Sequence, residues 1–337
     1  MRHVTLRQLR ALLAIQAHGK IVNAAKALGL TAPAITLQLK QLEEDAGVVL
    51  FDRTAQGMRP TAAGRAAIEA AQAIEDRLRV LQDEIDAIRG ARRGSLVVGA
   101  VSTAKYFAPQ LVAGFMREYP EVDMKLLVGN RAQTIVSLRD HRIDVALMGS
   151  PPRDLPVRAA AIGDHPLFIV AAPDHRLAGR RGVSREEVAR ERFIVREPGS
   201  GTRTSFERFL GEIPGRLDDP GTEMDSNETI KQAVMAGLGV AFISAHTVAF
   251  EVEAGRLAVL DVDGLPVWRQ WFTVIRSDRA TTPVMAAFEA FLARSGAAFL
   301  PVLGKLDAGR SGTASPDQDN GAATQRQGKR HVRRNDA

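Results

Sequence analysis

A chain of 337 residues with 45% apolar side chains is too long for one small domain and has ample material for two or three packed cores. The absence of cysteine excludes a disulfide framework and a thiolate metal site, and the seven histidines (His3, His18, His141, His165, His175, His246, His331) lack ligand spacing. The net charge of +6 is uneven. Residues 1–60 hold eight Lys/Arg against four Asp/Glu, residues 305–337 seven against four, and the stretch between thirty against thirty-one, so phosphate attraction is expected of the N-terminal region. With no apolar leader and no bilayer-length run, a cytoplasmic protein without membrane contact is expected.

Residues 21–46 read as a short helix, a turn and a longer helix. Gly29 can close the first in a left-handed conformation, Thr31 can cap the second, and Pro33 is tolerated in its first turn. Ile35, Leu39, Leu42 and Ala46 then fall on one inward stripe, leaving Ala32, Pro33, Thr36, Lys40 and Gln41 on the other face. Small hydrogen-bonding side chains followed by a cation suit a helix entering the major groove. An ordinary helical hairpin with a solvated face is the alternative. After the helix, Val48–Arg53, a turn at Thr54–Gly57 and Met58–Pro60 predict a hairpin wing with Arg53 and Arg59 beside its tip.

Residues 5–65, above all "LTAPAITLQLKQLEEDAG" and "LFDRTAQGMRPTAAG", resemble the winged helix-turn-helix of the LysR-type transcriptional regulators. The resemblance implies contact with double-stranded promoter DNA through Thr31, Ala32, Pro33, Thr36, Gln38 and Lys40, supported by Arg53 and Arg59. The family commonly has Gln where this chain has Ala32, so readout at that step is limited to apolar contact, as with a thymine methyl.

Thr61 can cap a proline-free helix from about Ala62 to Arg89. Along it Ala71, Ile74, Leu78, Leu81, Ile85 and Ile88 recur at alternating spacings of three and four, a heptad seam that predicts dimerisation. Gly90–Gly94 reads as a hinge.

From Ser95 to about Leu300 the pattern alternates strand and helix. Strands are expected at Ser95–Val101, Val122–Val128, Val145–Met148, Leu167–Ala171, Phe193–Val195, Val240–Ile243 and Trp271–Ile275. Helices are expected at Tyr106–Glu118, Ala132–Asp140, Thr204–Leu210, Glu228–Ala236 and Val284–Leu292, giving an α/β fold with a parallel sheet. The LysR resemblance implies a two-lobed effector domain like the periplasmic binding proteins: lobe I at about 95–164 and 268–300, lobe II at about 165–267. The expected organisation is therefore a DNA-binding domain over 1–60, a linker helix over 61–90, the effector domain over 91–300 and a disordered tail over 301–337.

Four loops lead into helix N-termini, where free N–H groups and partial positive charge favour anions. They supply Ser102, Thr103 and Lys105; Asn130 and Arg131; Gly199, Ser200, Gly201, Thr202 and Arg203; and Asn227 and Glu228. Together they predict an anion pocket in which Lys105, Arg131 and Arg203 are the cations. No nucleotide fingerprint, Ser/His/Asp set, paired-carboxylate arrangement or metal constellation is legible, which disfavours an enzyme.

The runs "VGAVSTAKYFAPQLVAGF", "REPGSGTRTSFERFL", "SNETIKQAVMAGLGVAFISAHT" and "GLPVWRQWF" are similar to the LysR subgroup controlling Calvin-cycle operons, the CbbR proteins. That similarity implies an activator acting as a dimer of dimers, with RNA polymerase as a further candidate partner. It also implies an effector among ribulose bisphosphate, phosphoenolpyruvate and NADPH, and no resident cofactor. A LysR regulator of another operon, or a solute-binding sensor without DNA readout, is the alternative. The basic "GKRHVRR" in the tail reads as a solvated end or an aid to nonspecific DNA affinity.

Overall fold

The computed structural model describes residues 4–88, 94–211, 213 and 221–301. The expected hinge, apart from Gly94, and the expected tail, apart from Pro301, lie outside these residues.

The N-terminal helices share one core because each carries an apolar stripe of the right period. Helix α1 (Leu6–His18) begins in a reciprocal cap: Gln8 N donates to the Thr5 hydroxyl and Thr5 N to the Gln8 side-chain oxygen. Helix α2 (Ile21–Leu28) ends at Gly29, φ 65°, and α3 (Ala32–Ala46) starts after Thr31, whose hydroxyl accepts from Ala34 N, so the turn forms as its residues predict. Leu12, Ile15, Ala24, Ile35, Leu39 and Leu42 bury together with Leu50 and Phe51. Each fully buried Leu or Ile contributes roughly 2 kcal/mol. Strands β1 (Phe51–Thr54) and β2 (Gly57–Pro60) form the wing. A Cβ on Gly57, φ 133°, would stand 2.4 Å from Gly19 O, so only glycine lets the wing lie against the α1–α2 turn.

Helix α4 (Ala62–Ile88) is capped by Thr61, whose hydroxyl accepts from Gly64 N at 2.9 Å. The heptad seam divides along its length. Ala71 is fully buried in the N-terminal core of its own chain, which corrects its expected place in a dimer contact. Leu78 is half-buried, whereas Ile74, Leu81 and Ile85 are exposed. The Ile88 side chain lies outside the described residues.

Lobe I contains β3 (Gly94–Val101), α5 (Ala108–Glu118), β4 (Val122–Gly129), α6 (Arg131–Arg139), β5 (Val145–Met148) and the returning α11 (Pro283–Ser295). Its core is built on Phe107, Phe115, Leu147, Phe288 and their neighbours. Lobe II contains α7 (Arg185–Val188), β7 (Ile194–Arg196), α8 (Gly201–Leu210), β8 (Thr222–Met224), α9 (Asn227–Met235), β9 (Ala241–Ser244), α10 (Ala245–Glu253) and β10 (Ala258–Val259), around Phe193, Phe206 and Leu210.

Two long strands, β6 (Val157–Ala171) and β11 (Val267–Arg276), run through both lobes and pair antiparallel from Val267↔Leu167 to Arg276↔Val157. The expected parallel sheet is thus corrected to a mixed one. Pairing is parallel in β3–β4, β3–β5 and β7–β8, but the chain crosses between lobes and returns, so its two crossings run in opposite directions. Their register shifts between Trp271 and Phe272.

Candidate DNA interface and effector cleft

On α3, Thr31, Pro33 and Lys40 are exposed, and Ala32, Thr36 and Gln38 are half-buried. The Thr36 hydroxyl donates to Ala32 O at 2.9 Å, leaving its lone pairs free to accept from a base, and Lys40 lies 3.6 Å from Glu44 one turn on. The wing departs from its expected form. Asp52 pairs with Arg59 and Arg53 with Met58, and because side chains alternate across a strand, Arg53 and Arg59 leave opposite faces of the ribbon. Arg59 shares its face with Asp52, so Arg53 carries the less compensated charge.

Between the lobes, Ser102 and Thr103 after β3, Arg131 at the start of α6, and Ser200, Gly201 and Thr202 at the start of α8 converge on one cleft. Ser200 is the N-cap of α8 but makes no side-chain capping bond, which leaves the first amides of that helix available to an anion. The cleft is nearly shut, with ≈ 30 Å³ open to the centres of water molecules, room for a water or two.

Bridges between the lobes close its rim. Lys105 Nζ lies 2.5 Å from Glu228 Oε2, and Tyr106 donates its hydroxyl to the other oxygen of that carboxylate at 2.5 Å. Burial pushes the Glu228 carboxyl up, but the hydrogen bonds from Lys105 and Tyr106 outweigh it and hold the group down to about 2. Burial, then Glu228, raises the Tyr106 hydroxyl above its usual range. Elsewhere Ala132 N donates to Gly199 O at 3.1 Å; Gly199 sits at φ 87°, and a Cβ on it would stand 3.0 Å from the Ala132 Cβ.

Six predicted residues lie outside the cleft lining, Lys105 and Glu228 of the rim bridge among them. Arg203 turns away, donating to Glu207 at 2.6 Å and to Arg196 O at 2.9 Å, so the cation expected there is instead part of the scaffold of α8. Asn130 is consumed by a reciprocal cap with Gln133. Buried Asn227 accepts from Arg196 Nη1 at 2.7 Å, while its Nδ2 has no partner. Gly199 serves the rim.

The sequence reading missed Arg196, Arg269, His165, Gly149 and Ser150, which complete the polar lining. Arg196, His165 and Arg269 sit inside strands β7, β6 and β11, away from the loops before helices where the sequence signals lie. A charged residue between two tryptophans in "WRQW" was the available signal for Arg269. Arg196 is compensated by both oxygens of Glu197 and reaches across to the Ser102 hydroxyl at 3.0 Å.

Arg131 and Arg269 differ from Arg196: among the described residues neither has a carboxylate within ion-pair distance. Arg131 reaches only Pro151 O, at 3.5 Å, and Arg269 donates to the Ser205 hydroxyl at 2.5 Å. Burial lowers both guanidinium pKa values; repulsion from Arg208 and Arg131 adds to the effect on Arg269, while Asp154 partly opposes it on Arg131. Two desolvated cations and a helix N-terminus facing one space have the charge and the donors that an anion would need.

No group of three or more His, Cys, Asp or Glu side chains able to hold a metal occurs among the described residues, and no helix there is long and apolar enough to cross a membrane.

A capped helix-turn-helix with a wing, joined by one long helix to two α/β lobes around a cleft, defines a ligand-responsive DNA-binding protein. Residues 6–65 match the bacterial regulatory helix-turn-helix proteins of the lysR family and residues 89–297 the LysR substrate binding domain; the chain belongs to the LysR family of transcriptional regulators, which are not enzymes. It is 60% identical over 305 residues to the HTH-type transcriptional regulator CbbR of Rhizobium meliloti (strain 1021), covering 90% of this chain and 97% of that protein. It is 41% identical to the RuBisCO operon transcriptional regulator of Allochromatium vinosum, covering 86% and 96%. Among solved structures, the regulatory domain of Synechocystis PCC6803 CcmR in complex with 2-PG is 30% identical, with a TM-score of 0.55, covering 59% of this chain and 96% of that one. Full-length CbnR complexed with its target DNA shares the fold at 22% identity and a TM-score of 0.55, covering 86% and 99%.

Proposed function

We propose that this regulator binds the promoter of a carbon-fixation operon and activates it as a dimer of dimers when its cleft takes up a small phosphorylated metabolite. Relatives that carry the CbbR name at 60% identity support the operon. The exposed Ile74, Leu81 and Ile85 on α4 support pairing between copies through the linker helix. The effector half rests on one observation: Arg131 and Arg269 face the cleft without a carboxylate partner. A related regulatory domain bound to 2-PG supports the same class of ligand.

Calorimetry on the full chain with ribulose bisphosphate, phosphoenolpyruvate, 2-PG and NADPH, followed by footprinting on the promoter with and without each, tests the assignment. At least one phosphorylated compound is expected to bind and to change the footprint. Arg269→Met should weaken that binding by ~10-fold or more, the scale of one charge-assisted hydrogen bond. Tight binding of a neutral ligand, or anion binding indifferent to Arg269→Met, would remove the effector assignment.

A further inference from the structure

Among the described residues His165 is the one histidine in the cleft lining, and every side of its ring except one is accounted for. The ring stacks on Trp271 at a centroid distance of 3.9 Å and 15° between planes, which fixes its orientation. Its Nε2 lies 3.0 Å from the Ser244 hydroxyl. Ser244 is fully buried and makes no capping bond to α10, so among the described residues the acceptor for its hydroxyl hydrogen is His165 Nε2. With Nε2 accepting, a neutral ring carries its hydrogen on Nδ1. Burial, followed by His246 and Arg269, keeps the ring neutral by holding its pKa well below the usual value.

That Nδ1 has no hydrogen-bond partner, although the side chain is 4% exposed. An unmatched buried donor is uncommon in native proteins and calls for an explanation. Gly149 supplies part of one, because it also lines the cleft and a Cβ on it would stand 2.8 Å from Nδ1. Any other residue there would crowd the donor, which lies buried at the edge of the nearly shut cleft.

We propose that His165 is a specificity-determining residue of the effector cleft, donating from Nδ1 to a ligand carboxylate, so that the regulator selects phosphorylated carboxylic acids over phosphate esters lacking a carboxylate. The inference rests on the anion-cleft reading above. The work divides by chemistry. The guanidinium groups of Arg131 and Arg269 and the free amides of α8 meet the phosphate, whose charge they match. The neutral imidazole meets the second acceptor, where another cation would add attraction without discriminating one anionic group from the other. A carboxylate accepts this bond with a full charge, which makes it about twice as strong as the bond to the neutral hydroxyl of an ester lacking a carboxylate.

The test uses full-length protein and a matched pair of probes: 3-phosphoglycerate, and glycerol 3-phosphate, which has a hydroxymethyl group where the former has a carboxylate. Phosphoenolpyruvate serves as a second acid and inorganic phosphate as the reference. The wild type should bind at least one of the two acids about tenfold or more tightly than glycerol 3-phosphate. His165→Phe keeps the stack on Trp271 and loses the donor, so it should erase that preference while leaving inorganic phosphate within about twofold. His165→Asn, whose Nδ2 stands where Nδ1 stood, should retain the preference, and His165→Gln should lose it. If His165→Phe does not fold, the Asn/Gln pair decides alone. Equal affinity of wild type for acid and ester, or a preference that survives His165→Phe or follows Gln rather than Asn, overturns the assignment to His165 and leaves the anion cleft standing. Binding of no phosphorylated probe at all overturns the cleft reading itself.

Discussion

Arg279 is the buried cation that joins the linker helix to lobe I, and replacing it by Met isolates what that junction contributes. Its side chain is 3% exposed and lies 2.7 Å from Asp76 on α4 and 2.8 Å from Asp144, two carboxylates that are themselves buried. Asp76 also meets His141 Nδ1 at 3.1 Å, and Asp144 accepts from Val97 N at 2.7 Å, so each carboxylate would keep at least one hydrogen bond after Arg279→Met but lose its ion pair with Arg279. Breaking a buried pair from one side costs about 3–5 kcal/mol, because a desolvated charge is left behind. Asp76→Asn instead leaves Arg279 paired with Asp144 and should cost only about 1–1.5 kcal/mol, the scale of a weakened hydrogen bond. Against a total stability of roughly 5–15 kcal/mol the first change is large. Urea unfolding followed by circular dichroism should show the midpoint falling far more for Arg279→Met than for Asp76→Asn at an unchanged m value. A midpoint for Arg279→Met within the equivalent of about 1 kcal/mol of wild type, or equal losses in the two variants, would refute the picture of one cation shared between two carboxylates.

Three further outcomes follow from the same structure. Lys40→Ala and Arg53→Ala should each weaken DNA binding on all sequences and flatten the dependence of log affinity on log salt by about one unit, whereas Arg59→Ala, on the wing face it shares with Asp52, should do less; equal salt slopes in all four proteins would sink this assignment. Leu78→Asp with Leu81→Asp places carboxylates on the exposed seam of α4 and should lower the sedimentation coefficient to that of a smaller assembly, while unaltered sedimentation of the folded variant would move the dimer contact elsewhere. Burial holds His246 down to about 4 from 6.5, and its Nδ1 accepts from Trp271 Nε1 at 2.9 Å, so the folded ring stays neutral while the unfolded one takes up a proton as pH falls below 6.5. Stability is therefore complete above pH 6.5 and declines toward pH 4 by about 3 kcal/mol in all, with His165 adding in the same direction. Melting temperatures at pH 7, 6, 5 and 4 should fall along that series and fall less steeply in His246→Asn; a rise on acidification contradicts the assignment.

The DNA-binding half was legible because its signals are local: Gly29 stops one helix, Thr31 starts the next, and the residues between fix the turn with no help from distant parts of the chain. The effector half was legible in its helix starts, since Ser102, Thr103, Arg131, Ser200 and Thr202 do reach one cleft. Non-local contacts decided what sequence spacing missed. Arg203 precedes Thr204 at a helix start like any anion-binding cation, yet Glu207 one turn on and the carbonyl of Arg196 capture it. Arg269 and His165 face each other as partners in the β6–β11 register, a pairing of residues about a hundred positions apart that no local pattern encodes. Ala71 fits the heptad as well as Leu78 does, but α1 covers it first.

Strand β11 connects the cleft to the junction between lobe I and the linker helix. Arg269 stands at its cleft end and Arg276 seven residues on, roughly 23 Å away at the usual rise of a strand. Arg276 binds the Arg139 carbonyl at 2.9 Å and pairs with Asp278, next to the Arg279 that grips Asp76 on α4. Strand backbone, followed by these side-chain bonds, therefore joins the cleft to the helix that carries the DNA-binding domain. The register shift between Trp271 and Phe272 lies between the cleft and that junction. A ligand moves the DNA-binding domains only to the extent that it binds one arrangement better than the other. On the proposed function, with the rim already bridged by Lys105, Tyr106 and Glu228, the ligand's differential affinity comes from inside the cleft, at Arg131, Arg269 and the unmatched edge of His165.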